Sequence, residues 1–192
     1  SNFPKFKDKI IYILVEKLPK NYHDVNAIKN PVEKNNKAID NGMMIDHDQR
    51  NNIEKGLKDS DDNDLIIIGD VDEVPNLELF NINNINKKLI YFKQKMFCYK
   101  FNLLLDSKIW HGSKACLKKN LISPQWIRDT KERKYPLWRL DIMFSKTKYN
   151  SIHYVQNGGW HFTHLKSPED LYKKMKNWAH YPEFNQSGLN LN

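Results

Sequence analysis

Two acidic side chains, Asp70 and Asp72, follow directly on the apolar run Leu-Ile-Ile-Ile-Gly at 65–69. An unbroken run of this kind reads as a central strand covered on both faces. Its carboxyl end is the edge where α/β sheets bind ligands. In a strand, residues two apart point the same way, so Asp70 and Asp72 can converge; if the chain turns, both can still reach one ion. Two hard oxygen ligands suit Mn²⁺ or Mg²⁺, with phosphate oxygens and water filling the remaining positions. Such an ion neutralises charge that builds up on a diphosphate leaving group. The competing reading is a solvated acidic turn. Glu73 and Pro75, which stop the strand, frame the pair more tightly than such a turn requires.

A second group lies at Asn157-Gly158-Gly159-Trp160-His161-Phe162-Thr163-His164. The two glycines permit backbone shapes closed to other residues and allow close approach to a ligand. Trp160 offers a flat face for a sugar ring. His161 and His164 are candidate metal ligands or phosphate contacts. The alternative is a glycine turn feeding a core tryptophan. Scattered further candidates are Trp110, His111, Arg128, Arg139, Asp141 and His180 through Glu183. The chain has four arginines, Arg50, Arg128, Arg133 and Arg139, and the arginine fork matches phosphate geometry.

The order of elements that would position these residues is α/β. Lys9 to Val15 reads as a buried strand ended by Pro19, and residues 20–45 as a polar loop. A helix fits Asp46 to Leu57, and a short one Leu77 to Ile85. Leu89 to Asn102, Trp110 to Leu117, Arg139 to Ser145 and Ile152 to Gln156 read as further strands. The last helix has Ser167 as cap, Pro168 at its first position, and an apolar face of Leu171, Met175, Trp178 and Ala179.

The 192 residues suit one compact domain. Apolar residues at 40% and aromatics at 12% suffice for a core and exclude a disordered chain. No run is long enough for a membrane span, and the N-terminus is not a signal peptide, which points to the cytoplasm unless a targeting segment has been removed. The net charge of +8 attracts anions, but no basic run is dense enough for a nucleic-acid stripe, so no nucleic-acid partner is expected. Cys98 and Cys116 lack metal-type spacing and read as buried thiols.

Taken together, the segments FPKFKDKIIYILVEKLP (3–19), DQRNNIEKGL (48–57), DLIIIGDVDEVP (64–75), WHGSKAC (110–116), GGWHFTHL (158–165) and KMKNWAHYPEFN (174–185) resemble glycosyltransferase family 17. That family is typified by the transferase adding bisecting N-acetylglucosamine to N-glycans. The resemblance implies a GT-A-like fold: a mixed central sheet flanked by helices, in a single domain over residues 1–192. It implies a divalent metal, a nucleotide-sugar donor with UDP-GlcNAc the best known, a glycan or glycoprotein acceptor, and transfer with inversion. Asp70, Asp72 and His161 would hold metal and donor, with Arg50 and Trp160 as further donor contacts. Glu183, Glu73 and Asp141 are the carboxylates that could serve as general base, Glu183 first. The strands that usually open the family's fold have no counterpart before Phe3. Other readings of the same carboxylates are a metal-dependent phosphohydrolase or nucleotidyltransferase, and a non-catalytic sugar- or nucleotide-binding remnant.

Overall fold

Four stretches of chain each run through one sheet, turn, and enter a second sheet. The computed structural model describes residues 4–78, 80–81, 87–133, 135–136 and 138–176. Its strands are β1 (Leu65–Ile68), β2 (Glu73–Pro75), β3 (Leu89–Phe92), β4 (Gln94–Cys98), β5 (Leu104–Trp110), β6 (Lys114–Leu117), β7 (Ile152–Val155) and β8 (Gly159–Thr163). One sheet has the order β1-β6-β3-β7 and the other β2-β8-β4-β5. Each mixes parallel and antiparallel pairs: β3 with β7 and β4 with β8 are parallel. The protein is therefore mixed α/β.

Each consecutive strand pair contributes one member to each sheet. The crossings fall at 69–72, Lys93, 111–113 and 156–158. The single long strand expected at 89–102 is thus two strands in different sheets. Gly158 makes that possible: its amide donates to the Lys93 carbonyl at 2.8 Å, and a Cβ there would press on Lys93 N and Phe92 Cα. Trp110 to Leu117 divides likewise at Gly112.

The first sheet holds the core. Ile66, Ile68, Leu89, Ile90, Tyr91, Phe92, Ala115, Cys116 and Val155 are all buried. Burial pushes the Cys116 thiol up to about 11. Helix α2 (Pro124–Asp129) starts on a Ser123 cap whose hydroxyl accepts from Trp126 N at 3.1 Å. The Lys114 ammonium on β6 holds its far end, donating to the Arg128 and Thr130 carbonyls at 2.9 and 2.7 Å. Burial lowers Lys114 to about 8.

The chain forms two compact units, Ser60–Ser167 and, separately, Ser1–Asp59 with Pro168–Asn192. The second contains α1 (Pro31–Asn52) and α3 (Pro168–Lys176). Helix α1 starts fifteen residues before the expected Asp46, inside the stretch read as a loop. Asn30 caps it, accepting from Val32 N at 2.9 Å and Glu33 N at 3.2 Å, with Pro31 at the first position. The helix has almost no apolar stripe, and Asn41 is its only buried residue among those described. Polarity concealed the helix; its Asn-Pro start was the available signal.

The strand expected over Lys9 to Val15 does not form. A 3₁₀ helix covers Pro4–Lys9, and the run beyond it pairs with nothing among the described residues. Ile10, Ile11, Tyr12 and Leu14 are exposed. An apolar β-branched run becomes a strand only where a partner edge accepts its backbone groups. Arg139 to Ser145 is likewise not a strand; it contains a 3₁₀ turn at Leu140–Ile142. Helix α3 begins at Pro168 as expected, while Trp178, Ala179 and most of 79–86 lie outside the described residues.

Candidate functional site

The acidic pair lies in a tight turn. After β1 the chain folds back on itself, Glu73 N donating to the Asp70 carbonyl at 3.0 Å. Strand β2 then pairs antiparallel with β8, matching Glu73 to His161, Val74 to Trp160 and Pro75 to Gly159. Gly159, at φ 125°, supplies the last match: a Cβ there would overlap the Val74 carbonyl. Two motifs some ninety residues apart in sequence are thereby made neighbours.

Asp70 and Asp72 leave this turn toward different counter-groups. Asp70 Oδ2 receives Arg128 Nη2 at 2.9 Å. Asp72 Oδ2 lies 3.5 Å from His161 Nε2, and the Asp72 carbonyl accepts from Phe162 N at 2.9 Å. Both carboxylates stay partly exposed. Asp70 and Asp72 thus remain on one solvent-facing turn, each oriented by a basic partner. No cluster of three or more His, Cys, Asp or Glu side chains arranged as a metal site occurs among the described residues.

Beneath the turn Glu73 organises the crossing. Its side chain is 0% exposed. Arg128 approaches it two-fold, Nη1 to Oε2 at 2.9 Å and Nη2 to Oε1 at 3.1 Å. Trp110 Nε1 donates to Oε1 at 2.8 Å, Ser113 Oγ to Oε2 at 3.3 Å, and Asp70 N to Oε2 at 3.1 Å. Arg128 Nη1 also donates to the Gly112 carbonyl. Buried Gln94 fixes Ser113, donating from Nε2 to Oγ at 3.1 Å. Strand β5, the crossing segments at 69–72 and 111–113, and helix α2 therefore meet on one carboxylate. A buried charge this fully hydrogen-bonded is a positioning element.

His161 is buried and stacks on the Trp110 indole, ring centres 4.7 Å apart and planes 16° apart. Its Nδ1 has no hydrogen-bond partner among the described residues. Trp160, the residue before it, points to the opposite face of the sheet, as strand alternation requires. It is 40% exposed there, between Val74 and Lys95.

Comparison with protein-family models, curated proteins and solved structures finds no match.

The residues singled out from sequence are thus sorted by geometry. Asp70, Asp72, Glu73 and His161 come together. Trp160 does not share their face. Arg50 stands near the end of α1 in the other unit. Asp141 is exposed and pinned by Arg139 at 2.6 and 2.7 Å and by Lys148 at 2.9 Å. These cations hold its carboxyl below the usual carboxylate range, the Arg139 hydrogen bond foremost. Glu73, also a candidate base, has a buried carboxylate whose two oxygens already accept from Arg128, Trp110 and Ser113. Glu183 lies outside the described residues. Arg128, a phosphate-clamp candidate from sequence, grips carboxylates, and Ser113 and Gln94 join the network without having been given a role. Arginine scarcity was the only hint at Arg128; nothing in the sequence singled out Gln94.

His111 forms a separate pair nearby, its Nδ1 3.0 Å from Glu132 Oε2. Burial alone would raise the Glu132 carboxyl, but the His111 ring beside it and the nearby Lys114 and Lys108 charges hold it below its ordinary value.

Proposed function

We propose that the protein is a metal-dependent glycosyltransferase of GT-A-like architecture that uses a nucleotide-diphosphate sugar, with UDP-GlcNAc the leading donor. One observation carries the reading: the β2–β8 pairing sets His161 beside the Asp70–Asp72 turn at the end of β1, which is an edge strand with Ile66 and Ile68 buried and not the central strand expected from its apolar run. Sequence resemblance to glycosyltransferase family 17 falls on the same residues, in DLIIIGDVDEVP and GGWHFTHL.

One pair of donors, Asp72 and His161, has a spacing that suits a divalent ion. Adjacent ligands of one octahedral Mg²⁺ or Mn²⁺ stand about 3 Å apart, and Asp72 Oδ2 and His161 Nε2 stand at 3.5 Å. Asp70 and Asp72 would hold the ion, with His161 completing or orienting the set. The ion supplies neutralisation of charge on the departing diphosphate. Arg128 holds Asp70 in place and Glu73 holds Arg128, so the carboxylates reach their positions without reorganisation. An acceptor hydroxyl then attacks the anomeric carbon from the face opposite the diphosphate and gives its proton to a carboxylate. Glu183, the first candidate from sequence, is proposed for that role; Glu73 and Asp141 are both engaged in ion pairs.

Titration calorimetry with UDP-GlcNAc, with and without Mn²⁺, tests the reading. Wild type binds the donor at least tenfold more tightly with Mn²⁺. Asp72→Asn loses that enhancement while keeping its thermal midpoint. Metal-independent binding, or an Asp72→Asn variant indistinguishable from wild type, refutes the assignment.

A further inference from the structure

An excursion of the chain over residues 131–147 has chemistry unrelated to the acidic turn. Its base is fastened. Lys131 N donates to the Thr147 carbonyl at 2.7 Å, and Trp126 Nε1 on α2 donates to the Lys146 carbonyl at 2.5 Å. Tyr149 meets the Trp126 ring edge-on at 6.1 Å. Loops with close ends and packed bases of this kind are frequently functional.

The tip is apolar and outward. Trp138, Leu140, Met143 and Phe144 are 77%, 68%, 79% and 88% exposed. Isolated exposed apolar residues are ordinary, but four so exposed within seven positions call for an occupant. The tip is also shaped from within: Arg139 and Lys148 both clamp Asp141, closing the 3₁₀ turn that carries Leu140.

Charge selects the occupant. Exposed Lys131, Arg133 and Lys146 stand at the base of the loop. Of its two acids, Asp141 is already neutralised by Arg139 and Lys148, and Glu132 lies against the His111 ring. The loop thus pairs an apolar end containing a tryptophan with a cationic collar. A membrane surface has the matching order: apolar chains within, anionic headgroups above, and a boundary where tryptophan concentrates. A second copy of the chain fits less well. Four side chains bury on the order of 600 Å², whereas a stable interface takes about 800 Å² from each partner.

We propose that the 131–147 loop is a membrane-surface anchor: Trp138, Leu140, Met143 and Phe144 enter the interfacial layer of an anionic bilayer, and Lys131, Arg133 and Lys146 rest among its headgroups. The anchoring is peripheral; among the described residues no helix is long and apolar enough to cross a membrane. It is independent of the transferase reading.

Co-sedimentation of the full chain with vesicles tests it. One set is pure phosphatidylcholine and the other contains about a third phosphatidylserine. Wild type should pellet with the anionic vesicles at least tenfold more than with the neutral ones, less so as salt rises. Trp138→Ser with Phe144→Ser should lower partitioning by about a hundredfold, each deep aromatic contributing roughly tenfold or more. Trp138→Phe should still bind but lose the fluorescence quenching that brominated lipid produces in wild type. Both positions are exposed, so thermal midpoints should stay within a degree or two. Equal binding to both vesicle sets, or unchanged binding in the double variant, overturns the proposal. So does a concentration-dependent dimer that the double variant abolishes, which would assign the patch to a protein contact.

Discussion

Replacing Arg128 with methionine removes a charge that three groups share while keeping much of the side chain's bulk. The guanidinium makes two bonds to Glu73, one to Asp70 and one to the Gly112 carbonyl. The Asp70 bond is half in water and contributes little, within the range of about 0–1 kcal/mol typical of exposed pairs. The Glu73 bonds matter more, because that carboxylate is wholly buried. Without Arg128 it keeps Trp110, Ser113 and the Asp70 amide, all neutral donors, and its charge is no longer balanced. Breaking a buried pair from one side costs about 3–5 kcal/mol, and total domain stability is about 5–15 kcal/mol. Arg128→Met should therefore lower the urea midpoint strongly, followed through tryptophan fluorescence at low temperature. Glu73→Met should cost a similar amount. The double variant should cost about 2–3 kcal/mol less than the two singles summed, because neither charge is then left alone. Additive losses, or a loss below about 1 kcal/mol for Arg128→Met, would refute the claim that this pair organises the crossing between the sheets.

Three further outcomes follow from particular contacts. Gly112→Ala places a Cβ onto the Glu73 carboxylate and the Trp110 indole nitrogen, so it should destabilise by about 2–4 kcal/mol and weaken Mn²⁺-dependent donor binding, read by urea titration and calorimetry. Trp160→Ala should change that binding less than twofold, since the indole lies on the sheet face opposite His161; a tenfold loss in the calorimeter would place Trp160 in the donor site after all. Lys114, lowered to about 8 from 10.5, releases its proton in the folded state while the unfolded chain still holds it. Stability should therefore rise from pH 8 to 9, by up to about 1.4 kcal/mol per unit. Above 9 the Cys116 thiol, raised to about 11, acts in the opposite sense and flattens the rise. Lys114→Met should abolish the increase in a urea series across those pH values.

The acidic turn was legible because its signals are local. An apolar run followed by Asp-Val-Asp-Glu needs only strand propensity and the end of the run to place carboxylates at a sheet edge. Ile152 to Gln156 and the capped helix at Pro168 were readable for the same reason: β-branched content in one case, cap chemistry in the other. Where local signals pointed the wrong way, tertiary context was decisive. Lys9 to Val15 has strand composition but no paired edge, and α1 is a helix secured by its cap despite lacking an apolar stripe.

The sequence by itself determined which chemistry is available: two neighbouring carboxylates after an apolar run, a histidine after a glycine pair, and few arginines. Their roles depended on the crossings between the two sheets. Only pairing of β2 with β8 brings His161 to Asp72 and sends Trp160 away, since successive strand residues face opposite sides. Only the approach of α2 converts Glu73 from a candidate base into the buried counter-charge of Arg128. Side-chain type is a property of position in the chain, whereas burial and charge pairing are set by elements dozens of residues apart, and those two quantities decide what a carboxylate can do.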